Sequence, residues 1–419
     1  MEFPRKALLA LAGVLLASGA MAEEKPVYQV ARLTEGLYEL RADGGGYTVK
    51  VIASVGKDGI LLVDAGQRSA APALLEILKT LGEGSPRILI NTHSHIEHTG
   101  GNFLAGKGAL IIGQENVRTR LRNGSFLWDE FTDDAIPRIT FRDSMTLHFN
   151  GDEIRLIAFP GAHDSSDTVV WFTKAKIACV GGLSNGHHFP SVDSVGGDAL
   201  KYAETVQRVI DMLPEDVKIV PGHGEDGTLA DYRAFQEMLA RTTDLVRKEV
   251  AKGKDLETLQ KEDVLKEWQS FEGSYVDRNG WLKYLVEAIH RKGPPGAGKL
   301  RPFEPLYRAY QEKGSEGAVA AYRELKSRHG DEYLFDDLTL ITIADKLTER
   351  EEQADAIPFA DLCLAEYPES RLAWYVHQIL GMAHAGLGHR DLAVKNLRKS
   401  LELHPDNPEV AARLKELEK

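Results

Sequence analysis

The sequence predicts a layered α/β domain with a polar site along one edge of its sheets, followed by an all-α tail. Three observations carry this. From residue 23 to about 228, short β-rich apolar runs alternate with glycine turns and helical stretches. Metal-type residues gather in loops directly after such runs. Beyond 228 the pattern turns helical, and a Pro/Gly break at 293–299 precedes a repeat-like segment.

In chain order, Arg5 and Lys6, the run "ALLALAGVLLASG" and Ala20–Ala22 read as an export signal. The run is short against the ~20 residues of a bilayer span, so cleavage after Ala22 is expected rather than an anchor. That places the mature chain in the periplasm or outside the cell, with no remaining membrane span. Residues 23–66 ("YQVARL", "LYELRA", "YTVKVIAS", "GILLVDAG") have strand-and-hairpin composition. "APALLEILKTLG" has helical spacing, and "RILINTH" is an apolar strand running into a histidine cluster. A helix is expected around "HTGGNFLAG". Strands return over 137–190 ("ITFRDSMTLHF", "EIRLIAFPG", "TVVWFT", "IACVGG"), a helix over 199–213, then the strand "KIVPGHGE".

The stretch 293–299 has the spacing of a phosphate loop. However, Leu300 stands where Ser or Thr is needed, and Pro294 and Pro295 remove amide donors, so it reads as a linker. Beyond it, "ILGMAHAGLGHRDLAVKNLRKSLELHPDN" has a tetratricopeptide pattern in Leu380, Gly381, Ala393, Leu397, Ser400 and Pro405. Residues 337–370 repeat it loosely. An unrelated helical bundle is the competing reading. The expected division is a signal peptide at 1–22, an α/β domain carrying the histidine cluster at 23–292, a linker at 293–301 and a tetratricopeptide-like domain at 302–419.

Composition narrows the function. Hydrophobic residues make up 43% and charged residues 27%, ordinary for a globular chain with a real core. A net charge of −12 with no basic block argues against nucleic acid or an anionic membrane surface as the main partner. Cys179 and Cys363 fall in different expected domains and read as buried unpaired thiols, with a disulfide as the alternative.

The chemistry sits in "NTHSHIEHTGGN", which packs His93, His95, Glu97 and His98 into six positions. Alternation puts His93 and His95 on one side of an extended segment, where two imidazoles can grip one ion. Glu97 and His98 can face a second. His163 and His223 end two further strand-end loops. Imidazole and carboxylate donors suit zinc, with iron or manganese as alternatives.

"THSHIEHTGGN" resembles the His-x-His-x-Asp-His signature of the metallo-β-lactamase superfamily. "GILLVDAG", "PGAHDSSDTVVWF", "VGGLSNGHHFP" and "IVPGHGE" follow in the family's order, over roughly 27–290. The resemblance implies an αββα sandwich with metals at one edge, His93, His95 and His163 at the first site, and Glu97, His98 and His223 at the second. Two departures stand out. The signature's aspartate is Glu97, and Gly182 occupies the position of the acid that bridges the metals in many relatives. Leu183 stands where the thiolate-bearing subgroup has cysteine. His187 and His188 are either pocket wall or substitute ligands.

The expected activity is a zinc-dependent hydrolase using a metal-bound hydroxide on an ester, lactone, amide or β-lactam, with Glu97 as a metal ligand or as the group that orients water and shuttles a proton. One tight zinc and a second weaker ion are expected. Asp64 and Asp167 read as carboxylates holding imidazoles, with loop capping the competing reading for Asp167. Phe126, Trp128 and Phe131 read as an apolar wall over the site or as core. The alternatives are a non-catalytic scaffold whose tail binds a protein partner, and an iron oxidoreductase on the same fold. A small-molecule substrate is the expected main partner.

Overall fold

The computed structural model describes residues 28–43, 48–123, 134–193, 196–273, 275–291, 301–370, 372–405 and 407–418. The export segment 1–22, the aromatics Phe126, Trp128 and Phe131, and linker residues 293–300 lie outside the described residues.

Two sheets form the N-terminal part. The first holds seven strands in chain order: β1 Gln29–Thr34, β2 Leu37–Asp43, β3 Thr48–Gly56, β4 Gly59–Val63, β5 Pro86–Asn91, β6 Leu110–Gln114 and β7 Ile139–Phe141. It begins as an antiparallel meander and becomes parallel from β4 to β7. The second holds six: β8 Ser144–Phe149, β9 Asp152–Ala158, β10 Thr168–Phe172, β11 Ile177–Gly181, β12 Lys218–Pro221 and β13 Gly227–Thr228. All its neighbours are antiparallel except β11 and β12.

Alternate residues of the central strands enter different cores, as period-2 geometry requires. In β4, Leu61 and Val63 face the second sheet, while Ile60 and Leu62 face the helix Ala71–Leu81. In β11, Ile177 and Cys179 enter the inter-sheet core. Ala178 and Val180 pack instead against the helices Ala199–Met212, Leu229–Ala251 and Arg278–His290. The layers therefore run helix, sheet, sheet, helix, the αββα order expected.

Two local expectations need correction. "ITFRDSMTLHF" is not one strand: it breaks at Arg142–Asp143, leaving β7 in one sheet and β8 in the other. The helix expected around "HTGGNFLAG" is two single turns, Ile96–Thr99 and Asn102–Ala105. The intervening Gly101 lies where a Cβ would come 2.1 Å from the Ala65 carbonyl oxygen, so this close approach of backbones admits only glycine.

The described residues of the C-terminal part form helices joined by short connections. The helix Phe303–Arg328 is broken at Gly314, which has φ 69°. Asp337–Glu349, Gln353–Glu366, Ala373–Gly386, Arg390–Leu403 and Pro408–Leu417 follow. Phe303, Tyr322, Leu340, Phe359, Cys363 and Leu380 share a core to which no described residue before 303 belongs. Gly381 packs its open face on Leu397, joining the two helices of the strongest repeat match. Cys179 and Cys363 are buried free thiols.

Candidate metal centre

The six expected site residues converge at one edge of the sandwich, each delivered by the loop after a strand. His93, His95, Glu97 and His98 follow β5, His163 follows β9, and His223 follows β12. Donor atoms of His93, His95 and His163 lie within 4.8 Å of one another, as do those of His93, Glu97 and His98. His223 joins the second group: its Nε2 is 3.1 Å from His98 Nε2 and 3.7 Å from Glu97 Oε1.

Each imidazole has one nitrogen fixed by the protein. His163 Nδ1 is 3.0 Å from Asp167 Oδ1. Asp167 Oδ2 accepts from the backbone N–H of His163 and of Asp164, so this residue both caps the loop and holds the ring. His98 Nδ1 donates to Asp64 Oδ2 (2.9 Å) and His223 Nδ1 donates to the Thr48 carbonyl (2.7 Å). The Thr92 hydroxyl donates to Asp64 Oδ2 (2.7 Å), which leaves its oxygen to accept from His93 Nδ1 (2.9 Å). Asp64 thus orients His98 directly and His93 through Thr92. It does so at φ 63°, a left-handed conformation that Asp tolerates better than most residues. His95 is held from the other side, with Nε2 2.8 Å from Asp193 Oδ2.

These partners decide the tautomers. A carbonyl and a carboxylate only accept, so His223 and His98 carry their protons on Nδ1. In the neutral rings both Nε2 atoms present lone pairs to each other at 3.1 Å. Only a second ring proton or a cation between them relieves this. Burial, foremost, lowers the His223 pKa and disfavours the proton. His93 Nε2 is buried with no hydrogen-bond partner among the described residues, and burial pushes this imidazole well below its usual pKa. An orphaned lone pair and an opposed pair, beside an acid, fit a bound cation.

Charge is also arranged around His95. Burial opposes its protonation, but the Asp193 hydrogen bond and Glu97 outweigh this and raise it to about 10. Burial likewise works against ionised Glu97, but the neighbouring His223 and His95 rings nevertheless hold it well below the usual carboxylate range. Arg120 clamps Asp193 through two contacts of 2.8 and 3.3 Å.

Residues 44–223 match the family model described as the metallo-beta-lactamase superfamily. They carry a metallo-beta-lactamase superfamily domain. That stretch contains all six candidate ligands and less than half of the chain. A 93-residue segment is 26% identical to a metallo-beta-lactamase type 2 of Bacteroides fragilis, covering 22% of this chain and 37% of that enzyme. A 191-residue segment is 22% identical to an uncharacterized protein of Aquifex aeolicus (strain VF5), covering 44% of this chain and 88% of that one. Among solved structures, the metallo-beta-lactamase from Pontibacter korlensis aligns with TM-score 0.43 and 19% identity, over 51% of this chain and 99% of its own. DIM-1 metallo-beta-lactamase aligns with TM-score 0.43 and 18% identity, over 52% and 99%.

Within the superfamily domain, two expected residues stand apart from both donor groups. His187 is exposed. His188 donates from Nδ1 to the Glu272 carbonyl (3.0 Å) and lines a cavity beside Glu97 and His223. Sequence reasoning missed Asp193, Arg120, Thr92 and the Thr48 carbonyl. Asp193 lies three residues beyond "VGGLSNGHHFP", a stretch similar to the family, and that was the one available signal.

Proposed function

We propose that this chain is a metal-dependent hydrolase acting on esters, lactones, amides or β-lactams, with zinc as its metal. One observation carries this reading: every histidine of the cluster has one ring nitrogen pinned by a protein acceptor, leaving the other directed into shared space next to Glu97. His93, His95 and His163 would hold a first ion, and Glu97, His98 and His223 a second. A bound divalent ion lowers the pKa of its water to roughly 7 and polarises a substrate oxygen. The chain's own part is to fix the orientation of five imidazoles, through Asp64, Thr92, Asp167, Asp193 and the Thr48 carbonyl. Glu97, ionised and within reach of both groups, is placed to accept a proton there.

Export to the periplasm, and a protein-binding role for the helical tail, are proposals resting on the sequence of residues 1–22 and on the repeat pattern. The deciding experiment is metal analysis of purified full-length protein, followed by a screen of chromogenic esters, lactones, amides and β-lactams before and after chelation. Turnover that disappears on chelation and returns with zinc is expected. Absence of metal, or metal without any turnover, would favour the non-catalytic scaffold.

A further inference from the structure

The cavity that opens on Glu97 and His223 has a volume of about 260 Å³. Pockets for drug-sized ligands run to roughly 300–1,000 Å³, so this smaller one suits a single ring with a short substituent. Its far wall is not part of the stretch that matches the superfamily. Gly273, Tyr275 and Val276, from the loop before the helix Arg278–His290, complete it against Phe189. That wall is built in advance. The Phe189 N–H donates to the Phe271 carbonyl (2.7 Å) and His188 Nδ1 to the Glu272 carbonyl (3.0 Å), tying the two loops together. The side chains of Phe189 and Val276 are buried beneath, whereas Tyr275 is exposed at the rim.

The charged groups facing the cavity are acidic apart from its histidines. Glu97 lies at the metal end and Glu225 at the rim. Glu225 pairs with Arg41 (3.2 Å), but Arg41 is shared with Glu39 and Asp226 and does not line the cavity. Among the described residues, no lysine or arginine lines it. A carboxylate or phosphate on the far end of a substrate would meet Glu225, whose partner Arg41 is already shared with Glu39 and Asp226. An aromatic ring would meet Tyr275, with Phe189 and Val276 packed behind the wall.

We infer that the cavity selects substrates with an uncharged aromatic or compact apolar group, and that Tyr275 and Glu225 set this preference. The inference rests on the hydrolase reading only for the word substrate, because the binding preference is measurable without turnover. N-benzylacetamide and its para-sulfonate are suitable probes, since a sulfonate is a poor zinc ligand and reports on the wall. Ligand-observed NMR titrations on zinc-loaded full-length protein should show the amide binding at least about tenfold tighter than the sulfonate. Glu225→Lys should shrink that ratio to within about threefold. Tyr275→Ala should weaken the amide by about tenfold, the scale of an aromatic contact, and Tyr275→Phe should retain it. Equal or tighter sulfonate binding, no amide binding, or indifference to Tyr275→Ala overturns the inference. If the ranking holds but no ester is turned over, the hydrolase reading falls alone; if esters are turned over but the ranking fails, this inference falls alone.

Discussion

Gly182 and the His163 ring occupy adjoining space so closely that a Cβ at position 182 would lie 2.0 Å from His163 Nδ1. Position 182 is where a bridging acid was expected to be missing. The structure supplies a reason for the glycine: His163, held by Asp167, fills the room a side chain would need. Restoring the acid with Gly182→Asp should therefore displace His163 rather than bridge two ions. Metal content of the variant, measured by mass spectrometry after dialysis, should fall below wild type. A rise to two ions would show that the loop relaxes and that the ring position does not limit the site.

Asp64 holds His98 directly and His93 through Thr92, and its Oδ1 accepts from the Thr92 N–H (2.8 Å). Asp64→Ala removes all of these partners at a buried position. The expected cost is about 3 kcal/mol of stability and roughly 10–100-fold in metal affinity. Asp64→Asn tolerates the left-handed backbone and keeps part of the bonding, so it should fold and lose less affinity. Denaturant titration and competition with a chromogenic chelator separate the two effects. Equal metal affinity in Asp64→Ala and wild type would remove Asp64 from the support of the site.

The ligand candidates were legible because each follows a strand whose apolar composition marks it: "RILIN" before His93, "EIRLIAF" before His163, "KIVPG" before His223. Their supports were not. His95 and Asp193 are 98 residues apart, and His223 and Thr48 are 175 apart. Such pairings are set by how the two sheets stack, which leaves no local pattern. The Thr48 contact uses a backbone carbonyl and leaves no side-chain trace at all. The split of "ITFRDSMTLHF" was hidden for a related reason. β7 and β8 both read as short β-rich runs, and only the stacking of the sheets assigns them to different partners.

His95 donates to an aspartate that Arg120 keeps ionised, and its pKa is raised to about 10 despite burial. Without metal it is an imidazolium at neutral pH, so an ion arriving at Nδ1 must displace a proton. The sign follows: metal affinity rises with pH, up to about tenfold per unit through this group, and levels off near pH 10. Calorimetry in buffers of different ionisation enthalpy should register that proton. Asp193→Asn should reduce the release, and an unchanged value would detach Asp193 from the His95 equilibrium.

The helices from Phe303 onward have their own core, with Tyr322, Phe359 and Leu380 buried among tail residues. A chain ending at Arg291 should therefore retain the wild-type metal content and hydrolysis, while circular dichroism loses helical signal. A truncated protein that folds but no longer holds metal would mean that the tail supports the site, against a division near 293–301.

Glu97 Oε1 lies 3.5 Å from His95 Nδ1 and 3.7 Å from His223 Nε2, so one carboxylate reaches toward both donor groups. The extra methylene makes that reach available. It also means the carboxylate is not dedicated to the second group, where no acid at 182 adds charge. Purified protein should accordingly carry closer to one ion than two, with added zinc filling the second position. Glu97→Asp, with a shorter arm, should raise second-site occupancy. Glu97→Gln removes the charge and the proton acceptor, and should depress turnover by roughly a hundredfold or more even where one ion remains. Stoichiometry by mass spectrometry and kcat on the best ester from the screen give the two readouts. Two tightly held ions in wild type, unchanged by Glu97→Gln, would show that other residues complete the second site and that Glu97 has no part in holding it.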